Sequence, residues 1–405
     1  MNLQIAWRNI WRNRKRTMIT ISSVTLAVVL AVFMRSFQEG TYGKMIENAI
    51  GDFTGYVQVH QKDYWDDKTI DNSIEVNSTL INNILEVENV ESVNQRLESF
   101  SLASNENRTK GTLIMGIDPE KEEQILSLKK KMIKGESLKA DDKSIILGSK
   151  LAEYLKIDVG DTLVLLGQGH WGNSAIGAFH VKGILKMPAP DIDRQIVFMP
   201  LKLAQEYFSF ENGITSLVVK FEDSDLTQEI TDAINAKIDT TKYLAMTWQD
   251  MSPEMLQQIE GDRVGGLIMI AILYMIIAFG VFGTVLMMAE ERKKEYAVMI
   301  AIGMQKTKIM AISFYEAILM NSVGIIIGII LAVPLVFYFN IYPIEMTGEA
   351  VESIEKLGVD PVLPTTLSLS IFVNNIIVIL LITFLAAIYP LLSILRLKVI
   401  ESMRR

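Results

Sequence analysis

Residues 264–308 read VGGLIMIAILYMIIAFGVFGTVLMMA followed by EERKKEYAVMIAIGMQKTK, and this stretch decides the architecture. Its first 26 residues carry no charge. A hydrocarbon core about 30 Å thick requires roughly 20 apolar helical residues, so the segment is long enough to cross a bilayer. The next 19 residues hold eight charges, crowded at both ends of an apolar centre, before another apolar run begins. Working outward, 17–34 gives 18 uncharged residues, 309–344 contains the single charge Glu316, and 361–395 contains none. The pattern predicts four spanning helices over 17–39, 264–289, 309–340 and 371–396. The first apolar run is longer than the roughly 7–15 residues of a signal peptide and lacks a small-residue cleavage site, so it is expected to stay as an anchor.

Composition agrees with a few spans attached to a large water-soluble part. The 405 residues are 50% hydrophobic and 21% charged, with a mean hydropathy of +0.27. Absence of cysteine excludes disulfides, thiol nucleophiles and cysteine-based metal sites. Three histidines (His60, His170 and His180) offer little to a histidine-based metal centre, and no metal site is expected. Charge then sets orientation. Residues 1–16 hold five cations and no acid, 290–308 hold five cations, and the tail 397–405 adds Lys398, Arg404 and Arg405. The loop 341–370 has one cation, Lys356, against five acids. By the positive-inside rule both termini and 290–308 are expected in the cytoplasm, with 40–263 outside. That outer segment holds 23 basic and 36 acidic residues, a balance unsuited to nucleic acid.

Within 40–263, strand-like alternation at 55–60, a short helix at 79–85 and strands at 93–103 and 111–117 form one strand–helix–strand group. A second group follows the same order: strand 214–221, helix 226–238, strand 243–248. An insert at about 120–210 lies between them, giving an α/β domain of two lobes. In the insert, GQGHWGNSAIG at 167–177 reads as an exposed Gly-rich loop in which His170 and Trp171 are a candidate partner contact. Carboxylate pairs such as Asp191 and Asp193 read as solvated turns. No P-loop, GxSxG, HExxH or dinucleotide fingerprint is present, so the chain is not expected to be an enzyme or to bind ATP itself.

Three features of the inner side carry the functional signal. Residues 2–13 place Leu3, Trp7, Ile10 and Trp11 on one helical face and Arg8 and Arg12 on the other, as an interfacial helix on anionic lipid does. Residues 290–303 form a helix whose Tyr296, Met299 and Ile300 make an apolar stripe open to a partner, ended by Gly303. Pro390 is expected to kink the last span. Glu316, inside the third run, requires a cation or an interfacial position.

AWRNIWRNRKRTMIT at 6–20, ERKKEYAVMIAIGMQKTKI at 291–309, AAIYP at 386–390 and VIESMRR at 399–405 resemble the FtsX/MacB-type ABC transporter permeases. GYVQVHQKDY at 55–64, LGSKLAEYLKIDVGDTLVL at 147–165 and DIDRQIVFMPLKLAQ at 191–205 resemble the LolC/LolE branch, which releases lipoproteins. The resemblance implies an α-helical inner-membrane protein of four transmembrane helices, with a large two-lobed α/β extracytoplasmic domain between the first two. It implies an ABC ATPase dimer holding ATP and Mg on separate chains, a second permease copy or paralogue, and a periplasmic lipoprotein carrier as partners. It assigns the ATPase contact to Glu291, Glu295, Tyr296, Met299, Ala301, Gly303 and Met304. Position alone suggests Val28, Val32, Ile272 and Ile276 for a cargo cavity. A MacB-like efflux permease and an FtsX-like transducer that activates an extracellular hydrolase are the other readings of the same architecture.

Overall fold

A computed structural model describes residues 2–12, 14–345, 351 and 362–396. The tail 397–405 with its VIESMRR, and Lys356 in the 341–370 loop, lie outside the described residues. From the N-terminus, α1 (Asn2–Arg12) and α2 (Arg14–Ile46) precede the strands β1 (Val57–Gln61), β2 (Ser92–Asn105), β3 (Arg108–Ile117), β4 (Met132–Gly135), β5 (Ser144–Gly148), β6 (Thr162–Gln168), β7 (Ser174–Leu185), β8 (Ile196–Pro200), β9 (Ser216–Lys220) and β10 (Tyr243–Thr247). Among them lie the helices α3 (Ser78–Leu85), α4 (Pro119–Leu126), α5 (Ser149–Leu155), α6 (Leu201–Tyr207) and α7 (Thr227–Lys237). The chain ends in α8 (Pro253–Glu291), α9 (Lys293–Ala301), α10 (Lys306–Ile341) and α11 (Leu369–Leu395). Two compact units result: an α/β unit over Gly43–Gln258, and a helical unit made from the residues before and after it.

The α/β unit carries a ten-stranded mixed sheet of order β10-β1-β9-β2-β3-β8-β5-β7-β4, with β6 bridging β2 and β7. Strands of the two strand–helix–strand groups interleave, because β1 pairs antiparallel with both β9 and β10 and β9 pairs with β2. Period-2 alternation puts Val57, Val59, Leu217 and Val219 under α3 and α7, where Leu80, Ile84, Ile230 and Ile234 close one core. The opposite face carries polar groups. Arg96 and Glu122 are fully buried and bonded twice, at 2.7 and 2.9 Å, while Arg96 also donates to the Phe53 carbonyl. Such a buried pair is tolerated because both charges are met; leaving one alone costs about 3–5 kcal/mol. His60 lies on the same face with its pKa lowered by burial to about 4, so it is neutral in the fold.

Two sequence expectations change here. Asp193 is not a solvated turn residue: it is 1% exposed and accepts from the backbone of Ser149, Lys150 and Met187 and from the Ser149 hydroxyl. A carboxylate at the first turn of α5 satisfies backbone donors that have no helical partner. The 167–177 stretch is mostly paired strand, since Leu166 to Gln168 of β6 face Ile176 to Ser174 of β7 and only the hairpin tip is open. Glycine permitted the pairing; the expectation of a loop counted composition and missed the alternation on either side.

Among the described residues four helices are long and apolar enough to cross a membrane: Thr17–Gly51, Pro253–Glu291, Lys306–Ile341 and Leu369–Leu395. The last continues through position 390. Helices in lipid approach closely where side chains are small. Gly324 and Gly328 of α10 do this against α2: a Cβ added at Gly328 would lie 2.6 Å from the Val28 Cβ, and one at Gly324 2.8 Å from the Val24 Cβ. The Thr25 hydroxyl crosses the same seam to the Gly324 carbonyl at 3.1 Å. Gly328→Val forces these backbones apart and is expected to cost about 1–3 kcal/mol, read as a lowered thermal midpoint of the purified protein. Gly283→Val, placed where nothing lies within 4 Å, is the control and is expected to change little. Equal midpoints for the two variants would remove the close seam.

Candidate functional site

The end of the helical unit that bears α1 and α9 concentrates charge in otherwise apolar surroundings. Helix α8 stops at Glu291, and Arg292, at φ −88° and ψ 1°, turns the chain into α9. Gly303 ends that turn with φ +98°, a conformation that costs glycine nothing; its N–H donates to Ile300 O and that of Met304 to Met299 O. Gln305 is extended, and α10 begins at Lys306. Tyr296 and Ala297 are buried with Ile309 of α10 and Ile394 of α11, and Met299, Ile300 and Met304 pack half-buried against them. The expected open stripe therefore faces the chain's own core. A helix this short buries its apolar side where the ends of α10 and α11 lie, and the outward residues are Val298, Ala301 and the 78%-exposed Ile302.

Glu316 organises the charges. It is 4% exposed, accepts from the Asn9 side-chain amide of α1 at 2.7 Å, and is ion-paired to Arg292. Arg292 also reaches the Asn9 carbonyl at 3.4 Å. Burial works against the Arg292 charge, but the Glu316 carboxylate outweighs it and moves the guanidinium pKa upward. Burial, and then the Glu316 charge, push the Tyr296 phenol up as well. Among the described side chains of α1, Ala6 and Ile10 are buried, while Trp7 and Trp11 remain nearly half exposed. Outside this core Arg12 pairs with Glu295, an exposed contact of small energetic weight. The Lys306 ammonium donates to the Leu395 carbonyl at 2.8 Å, linking α10 to the end of α11. Sequence reading identified Glu316 and missed Asn9 and Arg292; the available signal was that a lone acid in an apolar run requires donors.

The remaining candidates separate. Val28 and Val32 are each 1% exposed and pack inside the bundle, whereas Ile272 and Ile276 are more than half exposed, so these four do not line one cavity. Helical phase explains this: α2 turns its 24/28/32 face onto α10. Trp171 sits at the hairpin tip, 79% exposed and left-handed at φ 55°, with its N–H held by Asp71 at 2.7 Å. His170 stacks on Phe210 at 4.0 Å. Among the described residues no group of three or more His, Asp or Glu is placed to hold a metal.

The sequence matches the MacB-like periplasmic core domain over residues 17–237 and the FtsX-like permease C-terminal domain over 267–399. The chain belongs to the FtsX/MacB-type ABC permeases and is a multi-pass membrane protein. It is related to LolC and LolE. Identity is 25% over 324 residues, 76% of each chain, with the lipoprotein-releasing system transmembrane protein LolC of Xylella fastidiosa (strain 9a5c). It is 19% over 363 residues, 85% of this chain and 84% of the other, with LolC of Neisseria meningitidis serogroup B. The periplasmic region of MacB from Actinobacillus actinomycetemcomitans aligns over 53% of this chain and 95% of its own, with 16% identity and a TM-score of 0.35.

The Glu316 cluster should behave as a clasp on α1. Glu316→Gln leaves Arg292 buried without its counter-charge and weakens the bond from Asn9, so α1 is expected to loosen and trypsin to cut faster at 8–16. Glu295→Gln, which removes only the exposed pair, is expected to leave that rate unchanged. Cleavage of Glu316→Gln at the unaltered rate would show that the carboxylate does not hold α1.

Proposed function

We propose that this chain is the membrane subunit of an ABC transporter of the plasma (inner) membrane, that a separate ATPase dimer docks on its α9 end, and that its work is the release of lipoproteins from the membrane. The observation that carries the reading is an outward apolar edge, Val298, Ala301 and Ile302, set beside the exposed Lys294 and Glu295 on a short helix that is itself packed onto the ends of two spans. An exposed apolar edge flanked by charged side chains suits a partner with an apolar socket and a polar rim. The five cations of 290–308 and those of 1–16 favour this end as cytoplasmic, with the α/β unit outside. The LolC relatives favour lipoproteins as cargo.

In this reading ATP and Mg stay on the partner chains, and a second permease copy or paralogue completes the assembly. Tyr296 props α9 from behind, Met299 and Met304 shape its flanks, and Gly303 permits the return into α10. ATPase closure displaces α9, and the Arg292–Glu316–Asn9 cluster obliges α1 and the base of α10 to follow. Removing an acyl chain from lipid costs about 0.8 kcal/mol per CH₂, a barrier suited to ATP-driven work. The exposed face of α8 with Ile272 and Ile276 is the cargo-side surface, and the His170–Trp171 tip is the contact for a soluble carrier.

Ile302→Asp places a charge on the proposed contact without disturbing the packed Tyr296 side. Co-purification of the ATPase is expected to fall at least about tenfold, since a desolvated unpaired charge costs well over 1.4 kcal/mol. Trp171→Asp is expected to leave ATPase binding intact. Stoichiometric ATPase on the Ile302→Asp protein would exclude α9 as the docking helix.

A further inference from the structure

At the end of the helical unit remote from α9, the spans open a cavity of about 510 Å³ between α2, α8 and α11. Its position follows from α11, which begins at Leu369 beside the cavity and ends with Ile394 packed near Tyr296. Arg35 of α2 is 18 residues beyond Thr17, about 27 Å along a helix, and so reaches the far edge of the hydrocarbon. Arg35, Glu39, Ser368 and Ser370 stand at the outer ends of α2 and α11, and Ile270, Ile371 and Val378 lie further along the spans among Tyr274, Asn374 and Asn375. Charged groups at the mouth and aliphatic side chains further along the spans, with the Tyr274 hydroxyl bonded to the Asn375 amide oxygen between them, match the profile of an amphiphile.

Two independent features at the mouth favour a phosphate. Arg35 offers a guanidinium whose five donors exceed its bonds to Glu39 at 2.7 Å and to Gln38 at 3.2 Å. Opposite it, the 27-residue α11 begins without a side-chain cap, since the Ser368 hydroxyl pairs with that of Ser370 at 2.8 Å. Uncapped backbone N–H groups and the positive end of the helix dipole attract an oxyanion. Glu39 adds the opposite polarity. It lies next to Arg35, is about a quarter exposed, and is backed by Arg263 at 3.4 Å. A phosphate at Arg35 with an ammonium at Glu39 is the charge pattern of a phosphoethanolamine headgroup.

We propose that this cavity binds a glycerophospholipid with a phosphoethanolamine headgroup, its phosphate between Arg35 and the first turn of α11, its ammonium at Glu39 and one acyl chain along Ile270, Ile371 and Val378. The site does not depend on the transport reading, because it is defined within one chain and at the opposite end from α9. Nor does it need the cargo: a membrane phospholipid is its occupant.

The test is native mass spectrometry of the purified, delipidated full chain, titrated separately with dioleoyl phosphatidylethanolamine, dioleoyl phosphatidylglycerol and the phosphate-free digalactosyl diacylglycerol. Phosphatidylethanolamine is expected to be retained best. Arg35→Ala should weaken its retention about tenfold, the loss of one charged hydrogen-bonding partner, and Glu39→Gln should narrow its lead over phosphatidylglycerol. Arg8→Ala, on α1 at the other end, should change nothing. If Arg35→Ala does not accumulate as folded protein, Arg35→Lys and Ser370→Ala carry the test, with the lysine variant retaining lipid and the alanine variant losing it. Equal retention of the phosphate-free lipid, or undiminished retention by Arg35→Ala, overturns the site. Better retention of phosphatidylglycerol than of phosphatidylethanolamine overturns the headgroup assignment. Loss of self-association in Arg35→Ala with lipid retention unchanged would instead make the cavity an interface between copies.

Discussion

A carboxylate held inside an apolar bundle must be met by donors, and Glu316 is met by two from different parts of the chain. That constraint shapes one whole end of the molecule. Arg292 has to turn inward, which interrupts the helix after Glu291 and makes α9 a separate short element. Asn9 has to approach, which brings α1 against α10. With the ends of α8, α10 and α1 converging on one charge, the apolar side of α9 has a floor, and Tyr296 and Ala297 bury there. What remains outside is a narrow edge of Val298, Ala301 and Ile302. An ionic cluster of this kind adds little net stability, but it makes the arrangement costly to rearrange piecemeal.

Each unit resolves its polar groups in its own way. The α/β unit buries Arg96 with Glu122 and sets Asp193 at the start of α5, and each of these deep charges is met by partners. The helical unit has no water to fall back on. The amide nitrogens of Asn321 and Asn375 bond their own helix at Ala317 O and Ile371 O, the Asn375 oxygen accepts from the Tyr274 hydroxyl across the bundle, and glycines make the close contacts of α10 with α2.

Much of this architecture was readable from the sequence. Uncharged runs marked the four apolar helices, since nothing else in a chain of this composition keeps 26 residues free of charge. Alternation marked β1, β2, β9 and β10 with their helices. Legibility failed where a residue's role depends on phase or on a distant partner. Nothing local tells that Val28 faces Gly328, that Asp193 serves Ser149, or that Asn9 binds Glu316; these pairings exist only after the helices pack. The Tyr296 stripe misled for a related reason. An amphipathic helix shows which side is apolar and not whether the chain already covers it. The family resemblance supplied the location of the α9 end, and the structure supplied which of its residues look outward.

The central claim is that α1, α9 and the base of α10 are one rigid, charge-locked piece that moves together. The chain contains no cysteine, so spin labels placed at Arg12→Cys and Gln305→Cys report on that piece alone. Pulsed electron double resonance on the assembled complex should give one narrow distance, identical without nucleotide and with ATP bound. A distance that shifts, or a second population that appears with ATP, would show that α1 and the α9 end move independently and would contradict the account.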